Sequence, residues 1–336
     1  MTIRDRGAIH HKAGQSLAEA KGEPKKILLI YLIVITVMSL AVAGLSVMLS
    51  NRIANTGGLS NMGLRSVLST AKTVLPLAQS LVLLGLEIGY ATMALRISRG
   101  ETVSEKTLFS GFRRFFPLLR AQILLGFLYF AATVASVYLS AYIFLMLPAS
   151  EAFYEVFSPL MESATALGGT ITLDEAAMAA VTDAMMPMLW IACAVFLLLF
   201  IPLYYRYRMM IYRLIDQPRP GALRAIRESR AMMRRNRIAL FRLDLSFWWF
   251  YGLQALIMTL GYGDMLLPMI GVTLPWSGAV NYFLFMGLSL ALQFVVYYFF
   301  MNRVAVTYAT AYETLLPKEN PEKTPQPTNV PWQDQY

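Results

Sequence analysis

Long apolar runs alternate with short polar connections along most of this chain, and the pattern predicts six membrane-spanning helices near 27–49, 74–96, 121–147, 188–206, 245–261 and 280–301. At 1.5 Å of rise per residue, about 20 apolar residues cross the hydrocarbon of a bilayer. The third run is long enough to tilt or to project beyond it, and the fifth is the shortest. The first run is too long for the apolar stretch of a cleavable signal, and no small-residue cleavage site follows it. The expected fold is all-α and polytopic. Residues 1–26 form a cytoplasmic N-terminal segment, 27–315 a single transmembrane domain, and 316–336 a proline-rich, disordered cytoplasmic tail.

Positive charge orients the spans. Lys and Arg crowd the N-terminal segment, the 96–120 connection and above all the stretch from Arg206 to Arg242, which holds eleven arginines and no lysine. The 148–187 connection has no base and carries Glu151, Glu155, Glu162, Asp174, Glu175 and Asp183. Arg52, Arg65 and Lys72 in the first outer loop depart from the pattern; the rest places both termini in the cytoplasm. Aromatic groups such as Phe247-Trp248-Trp249-Phe250-Tyr251 mark the span ends, where rings anchor helices at headgroup depth.

Three connections carry further structure. Thr102-Val103-Ser104-Glu105 matches a capping box, predicting a short helix through Phe109 that Gly111 ends. Thr172-Leu173-Asp174-Glu175 matches another, predicting a helix that runs into span four. After the turn Asp216-Gln217-Pro218-Arg219-Pro220-Gly221, a helical phase puts Ala222, Ala225, Ile226, Ser229, Met232, Met233, Asn236 and Leu240 on one arc. Arg224, Arg227, Arg230, Arg234, Arg235 and Arg237 share the opposite arc, with Leu223 and Ile238 as exceptions. This is an amphipathic helix lying on the inner membrane surface or packed on the spans. Its guanidinium groups either enforce topology alone or grip anionic lipid headgroups or a membrane partner.

Composition narrows the chemistry. Hydrophobic residues make up 57% and charged residues 15%, against about 25% charged in soluble domains. The net charge of +9 sits at the ends of apolar runs, which is topology rather than a nucleic-acid stripe. The one cysteine, Cys193, excludes an intrachain disulfide, and the only histidines are His10 and His11 in the polar N-terminus. No cofactor, metal site, catalytic constellation or nucleic-acid partner is expected. Glu87 is the one acid within a span; it lies between Gly85 and Gly89, a spacing that allows close helix approach. It is read as a transport residue or as a structural ion pair with Arg120 or Arg303.

Thr259-Leu260-Gly261-Tyr262-Gly263-Asp264 looks like a potassium-channel filter, but the helix before it enters from the arginine-rich side, so a turn is the simpler reading. The same Gly-x-Gly-Asp lacks the second aspartate of an intramembrane aspartyl protease. A weak internal echo relates Tyr90-x-x-Met93-x-x-Arg96 to Tyr207-x-x-Met210-x-x-Arg213.

Taken together, Arg99-Gly100-Glu101, Leu108-Phe109-Ser110-Gly111-Phe112, Ala225-Ile226-Arg227-Glu228-Ser229-Arg230-Ala231-Met232-Met233, Phe241-x-x-Asp244-Leu245-Ser246-Phe247-Trp248 and Leu260-Gly261-x-Gly263 resemble a bacterial family of integral membrane proteins, domain-of-unknown-function family nine-seven-five. The resemblance implies a location in the bacterial plasma (inner) membrane and no established activity. The expected function is that of a non-enzymatic accessory or scaffold protein. It would act through anionic membrane lipids, a membrane-protein partner or a second copy of itself. The alternative is a small transporter or permease using Glu87.

Overall fold

The computed structural model describes residues 6–56, 62–113, 115–166, 175–217, 221–269, 271–272, 275–276 and 278–316. Apart from Leu316, the tail lies outside the described residues, as do Thr172, Leu173 and Asp174 of the second capping box. Among the described residues no strand forms; there is a single β-bridge between Gly22 and Val103. The all-α expectation holds.

The helices in chain order are α1 (Arg6–Ala18), α2 (Pro24–Asn55), α3 (Met62–Ser98), α4 (Glu105–Arg113), α5 (Phe115–Leu145), α6 (Ala149–Ala166), α7 (Glu175–Tyr207), α8 (Met210–Asp216), α9 (Ala222–Met233), α10 (Arg237–Leu245), α11 (Trp248–Gly261), α12 (Gly263–Met269) and α13 (Gly278–Leu315). Five helical stretches among the described residues are long and apolar enough to cross a membrane. They contain the predicted spans one, two, four and six and all but the last two residues of span three. The predicted fifth span differs. It is the 14-residue α11, only about 21 Å long. The chain breaks at Ser246-Phe247 before it and at Tyr262 after it.

The chain divides into two compact units. The first comprises Met1–Phe115, Ile211–Arg219 and Arg234–Tyr336; the second comprises Phe116–Met210 and Pro220–Met233.

In the first unit, the core gathers at the end where α2 begins and α3 and α13 finish. Ile27, Leu28, Tyr31 and Leu32 of α2 are buried there. So are α3 residues from Gly85 to Ile97 on nearly every side, and Val306, Ala309, Ala311 and Tyr312 of α13. Ile9 and Ala13 of α1 and Leu240 and Leu243 of α10 complete it. By contrast, no residue of α2 beyond Leu32 and none of α3 before Gly85 is buried. Side chains such as Val37, Met48, Leu64 and Leu77 there are open and apolar. In a bilayer the hydrocarbon covers such a surface.

Glycine sets the tightest packing in this core. α4 folds back along α3, and a Cβ on Gly111 would run into the backbone of Gly85 and Gly89. A Cβ on Gly89 would fall within the Leu108 carbonyl, and one on Gly85 would sit 2.5 Å from Phe112 Cε1. Gly111 therefore does not end the helix, as the sequence suggested. It lies inside α4, because tertiary contact rather than local propensity selects it. The first capping box does not form: α4 starts at Glu105 rather than after Thr102, and that carboxylate meets Lys26 Nζ at 2.8 Å.

The turn between α3 and α4 is a Schellman motif. Gly100 takes φ +72°, its N–H bonds to Ile97 O at 3.0 Å, and the Glu101 N–H reaches Arg96 O at 2.9 Å. Polar bonds fasten the neighbouring helices. Tyr90 Oη donates to Asn302 Oδ1 at 2.7 Å, and Asn302 Nδ2 donates to Pro24 O at 3.3 Å. Tyr31 stacks on Tyr90 with centroids 4.9 Å apart.

The second unit holds most of α5, together with α6, α7 and α9. α6 was not expected: the 148–187 connection looked like a charged loop before a single helix. Glu151, Glu155 and Glu162 lie on this helix, whose Phe153 meets Phe144 of α5 edge-on at 5.9 Å and stacks on Phe157 at 5.1 Å. Tyr129 of α5 and Phe200 of α7 pack at 5.2 Å.

Substitution separates these roles. Gly111→Ala and Gly89→Ala should each lower stability by about 1–3 kcal/mol through overpacking. Gly100→Ala should cost about 1–2 kcal/mol through its left-handed backbone alone. Gly126→Ala in α5, where an added Cβ meets nothing within 4 Å, should cost nothing. Thermal unfolding of the purified variants in mild detergent reads the order.

Candidate functional site

α9 covers the first part of the predicted arc, from Ala222 to Met233. Ala225, Ser229 and Met233, spaced four residues apart, are buried. Ser229 Oγ donates to Arg206 O of α7 at 3.3 Å. With that face against α7, Arg224, Arg227 and Arg230 are exposed on the other. Arg224 Nε bonds Glu228 Oε1 at 2.8 Å, a pair one turn apart.

Arg120, assigned to Glu87 by sequence, sits in the second unit beside the start of α9. A cavity of ≈ 480 Å³ is lined by Arg120, Ile123 and Leu124 of α5 and by Gly221, Ala222 and Leu223. Leu223 is 67% exposed and Ile123 49%, so apolar side chains flank the guanidinium openly. This explains Leu223, which broke the polar arc: it belongs to an apolar patch at the helix start.

The single long helix predicted from Ala222 to Leu240 is interrupted. Residues 234–236 form a turn between α9 and α10, and the two helices fall in different units. Asn236 and Leu240 are nevertheless buried, Arg234 and Arg235 are exposed, and Arg237 is partly turned inward with Nε buried and without a hydrogen-bond partner. The six arginines therefore do not form one helical face. Arg224, Arg227 and Arg230 lie on α9, and Arg234, Arg235 and Arg237 at the start of the next element.

Glu87 is exposed on α3, between residues buried in the glycine contact. Among the described residues it has no ion pair, so the expected structural pair does not form. Glu87, two residues from each of Gly85 and Gly89, lies on a different face of α3 from the one that α4 covers. Arg303 lies instead near His10 of α1. His10 Nε2 is 2.7 Å from Ser246 Oγ, and its ring meets Phe247 edge-on at 4.9 Å. Burial, then the charges of Arg303 and Arg6, hold the His10 imidazole below its ordinary value of 6.5.

Two features were not identified from sequence. The first is a charged clamp. The Schellman turn presents Arg99 to two acids from distant segments: Nε donates to Glu313 Oε1 of α13 at 2.7 Å and Nη2 to Asp216 Oδ1 of α8 at 2.8 Å. Tyr312 Oη donates to Asp216 Oδ2 at 3.2 Å, and Tyr212 stacks on Tyr312 at 5.6 Å. The second is a groove of ≈ 730 Å³ between α11–α12 and α13, at the interruption marked by Gly261-Tyr262-Gly263-Asp264. The channel-like hexapeptide is helical on both sides of Tyr262 and accepts ordinary helical bonds, including Tyr262 N–H to Thr259 O at 3.1 Å. An extended filter is not formed.

The helices, the glycine contact and the basic segment define a multi-pass α-helical membrane protein. Residues 1–315 match the family described as "Protein of unknown function (DUF975)", and the chain belongs to that family. No curated protein and no solved structure matches it.

Arg99→Ala would leave Asp216 and Glu313 facing each other and should cost about 1–2 kcal/mol, since the pairs keep some solvent access. Arg99→Lys should recover part of this, because an ammonium lacks the planar fork. Acid should act through His10. Its folded-state affinity for a proton is lower than in the unfolded chain, so its contribution to stability is full above 6.5 and falls as the pH drops below that value. His10→Asn should flatten that segment of a melting-temperature profile.

Proposed function

We propose that this is a non-enzymatic integral membrane protein of the bacterial plasma membrane, with both termini cytoplasmic. It acts as an accessory or scaffold protein by holding anionic lipid headgroups at the basic face of α9. One observation carries the reading. Arg120 shares a cavity with the first residues of α9 and with open apolar side chains, next to a helix whose arginines all face away from its packed side. A phosphate group suits the guanidinium fork, and an acyl chain suits Leu223, Ile123 and Leu124. Each basic residue near an anionic membrane surface contributes about 1 kcal/mol. Arg234, Arg235 and Arg237 supply a second basic cluster for a lipid, a membrane-protein partner or another copy of the chain. A permease built on Glu87, Arg120 and Arg303 has less support, because these three residues are not brought together by a shared ion pair.

The test is lipid retention after mild-detergent purification, read by mass spectrometry. Wild type should retain phosphatidylglycerol over phosphatidylcholine by about tenfold, and more weakly as salt rises. Combined reversal of Arg120, Arg224, Arg227 and Arg230 to Glu should abolish the preference, while their replacement by Lys keeps much of it. Equal retention of anionic lipid by wild type and the Glu variant would remove the proposal.

A further inference from the structure

The groove between α11–α12 and α13 is long and narrow in its chemistry. Its α13 side runs from Tyr282 through Met286, Ser289 and Gln293 to Tyr297, about 22 Å along that helix. This is most of a hydrocarbon layer about 30 Å thick. The other side runs antiparallel, from Gln254 to Met265. The two sides are fastened where Ser289 Oγ donates to Ile257 O at 2.9 Å.

That fastening sets the level of two amides. Gln254 stands three residues, about 4.5 Å, before Ile257, and Gln293 four residues, about 6 Å, after Ser289 on the antiparallel helix. They therefore lie at nearly one depth. Trp249 and Phe300 meet at 4.7 Å further along the same two helices, where rings mark headgroup level. The amides lie roughly 7–11 Å inside that level. Gln254 Nε2 is buried without a hydrogen-bond partner, and among the described residues Gln293 makes no hydrogen bond. Acyl chains offer an amide nothing, and one lipid tail lies within one leaflet, about half the length of the layer. The occupant is therefore long and carries polar groups at one depth, which describes helices of another chain.

Three properties select a second copy of this chain. A side-chain amide is its own complement, since its oxygen accepts and its NH₂ donates. Copies inserted in one membrane share an orientation, so the two-fold axis between them runs along the membrane normal and returns each residue to its own depth. Gln254 and Gln293 then meet the same two residues of the other copy. Third, the rim of the groove is a ridge: Ala255, Met258, Tyr262 and Met265 are exposed at steps of three and four residues, Met258 by 64% and Met265 by 65%. A patch with a groove and an adjoining ridge suits an isologous contact. No Lys or Arg lines the groove, and its one carboxylate, Asp264, lies ten residues and about 15 Å along the chain from Gln254, clear of the amides.

We propose that this groove is the interface of a two-fold homodimer. The ridge of each copy seats beside the groove of the other, and the Gln254 and Gln293 amides bond across the axis.

Two measurements on the full chain test this. Native mass spectrometry in mild detergent and in phosphatidylglycerol nanodiscs should show a dimer. Gln254→Leu with Gln293→Leu should weaken it by about tenfold or more, since each change removes its bond twice, whereas Gln254→Asn keeps part of it. In native membranes, and with the exposed Cys193 replaced by Ser, a short bis-maleimide should bridge two copies through Gln254→Cys or Gln293→Cys. Val295→Cys, 50% exposed but two residues round α13 from the groove, should be bridged far less. The bridging arm does not depend on how the leucine variants behave in detergent. A chain that is monomeric in both settings and unbridged at 254 and 293 would overturn the proposal. So would a dimer that the leucine variants leave unchanged and that bridges equally at 295, or a monomer whose groove is filled by a different polypeptide or a lipid.

Discussion

Backbone-to-backbone contact between α3 and α4 is the constraint on which the first unit depends. Apolar side chains gain nothing by leaving lipid for one another, so helices in a bilayer hold together by close approach and by polar bonds. Gly85, Gly89 and Gly111 provide the approach. Because α4 lies so near α3, the Schellman turn between them is tightly placed, and with it the direction of Arg99. Arg99 in turn ties α8 and α13 to the same point. A contact that uses three residues without side chains thus places the charges that join segments more than a hundred positions apart.

Polar groups in this unit are used as fasteners. Tyr90, Asn302 and Pro24 connect three helices through two hydrogen bonds, and Tyr308 donates to Asp244 while lying 2.6 Å from Tyr251. These residues lie where an unmatched donor would be costly, and most of them are matched. Gln254, like Arg237 and Asn281, keeps one buried polar atom without a partner. Its unpaired amide falls at the one helix of the predicted set that is too short to cross the bilayer.

Much of the fold was legible because it follows from two periodic signals. Long apolar runs located α2, α3, α5, α7 and α13, and the helical phase of Ala225, Ser229 and Met233 located the packed face of α9. What was missed depends on contacts between distant segments. Gly111 carries the local signature of a helix end, and only the backbone of α3 explains its place inside α4. Residues 234–236 carry no proline or glycine, so nothing in the local pattern marks the break there. Glu87 looked like half of an ion pair because an acid in an apolar run demands a partner; of the basic residues named for it, Arg303 lies near His10 and Arg120 lines the cavity beside Leu223. Arg99, Asp216 and Glu313 were individually visible, but their pairing needs the three-dimensional path of α3, α8 and α13. The groove was present only as a suspicious hexapeptide, since part of its lining comes from a different helix.

The uneven burial of α2 and α3 has a consequence for how the molecule yields. The buried ends are held by the stacking of Tyr31 on Tyr90 and, for α3, by the glycine contact with α4 and the Arg99 clamp, whereas the opposite halves are joined by Gln79 Nε2 donating to Ser39 Oγ at 3.1 Å. Opening free energies follow such differences in contact density, from small values at sparse ends to the global value in the core. The fastened ends therefore unfold as one cooperative block. The opposite halves can shift tilt and spacing without breaking it, and surrounding acyl chains become part of what determines their geometry.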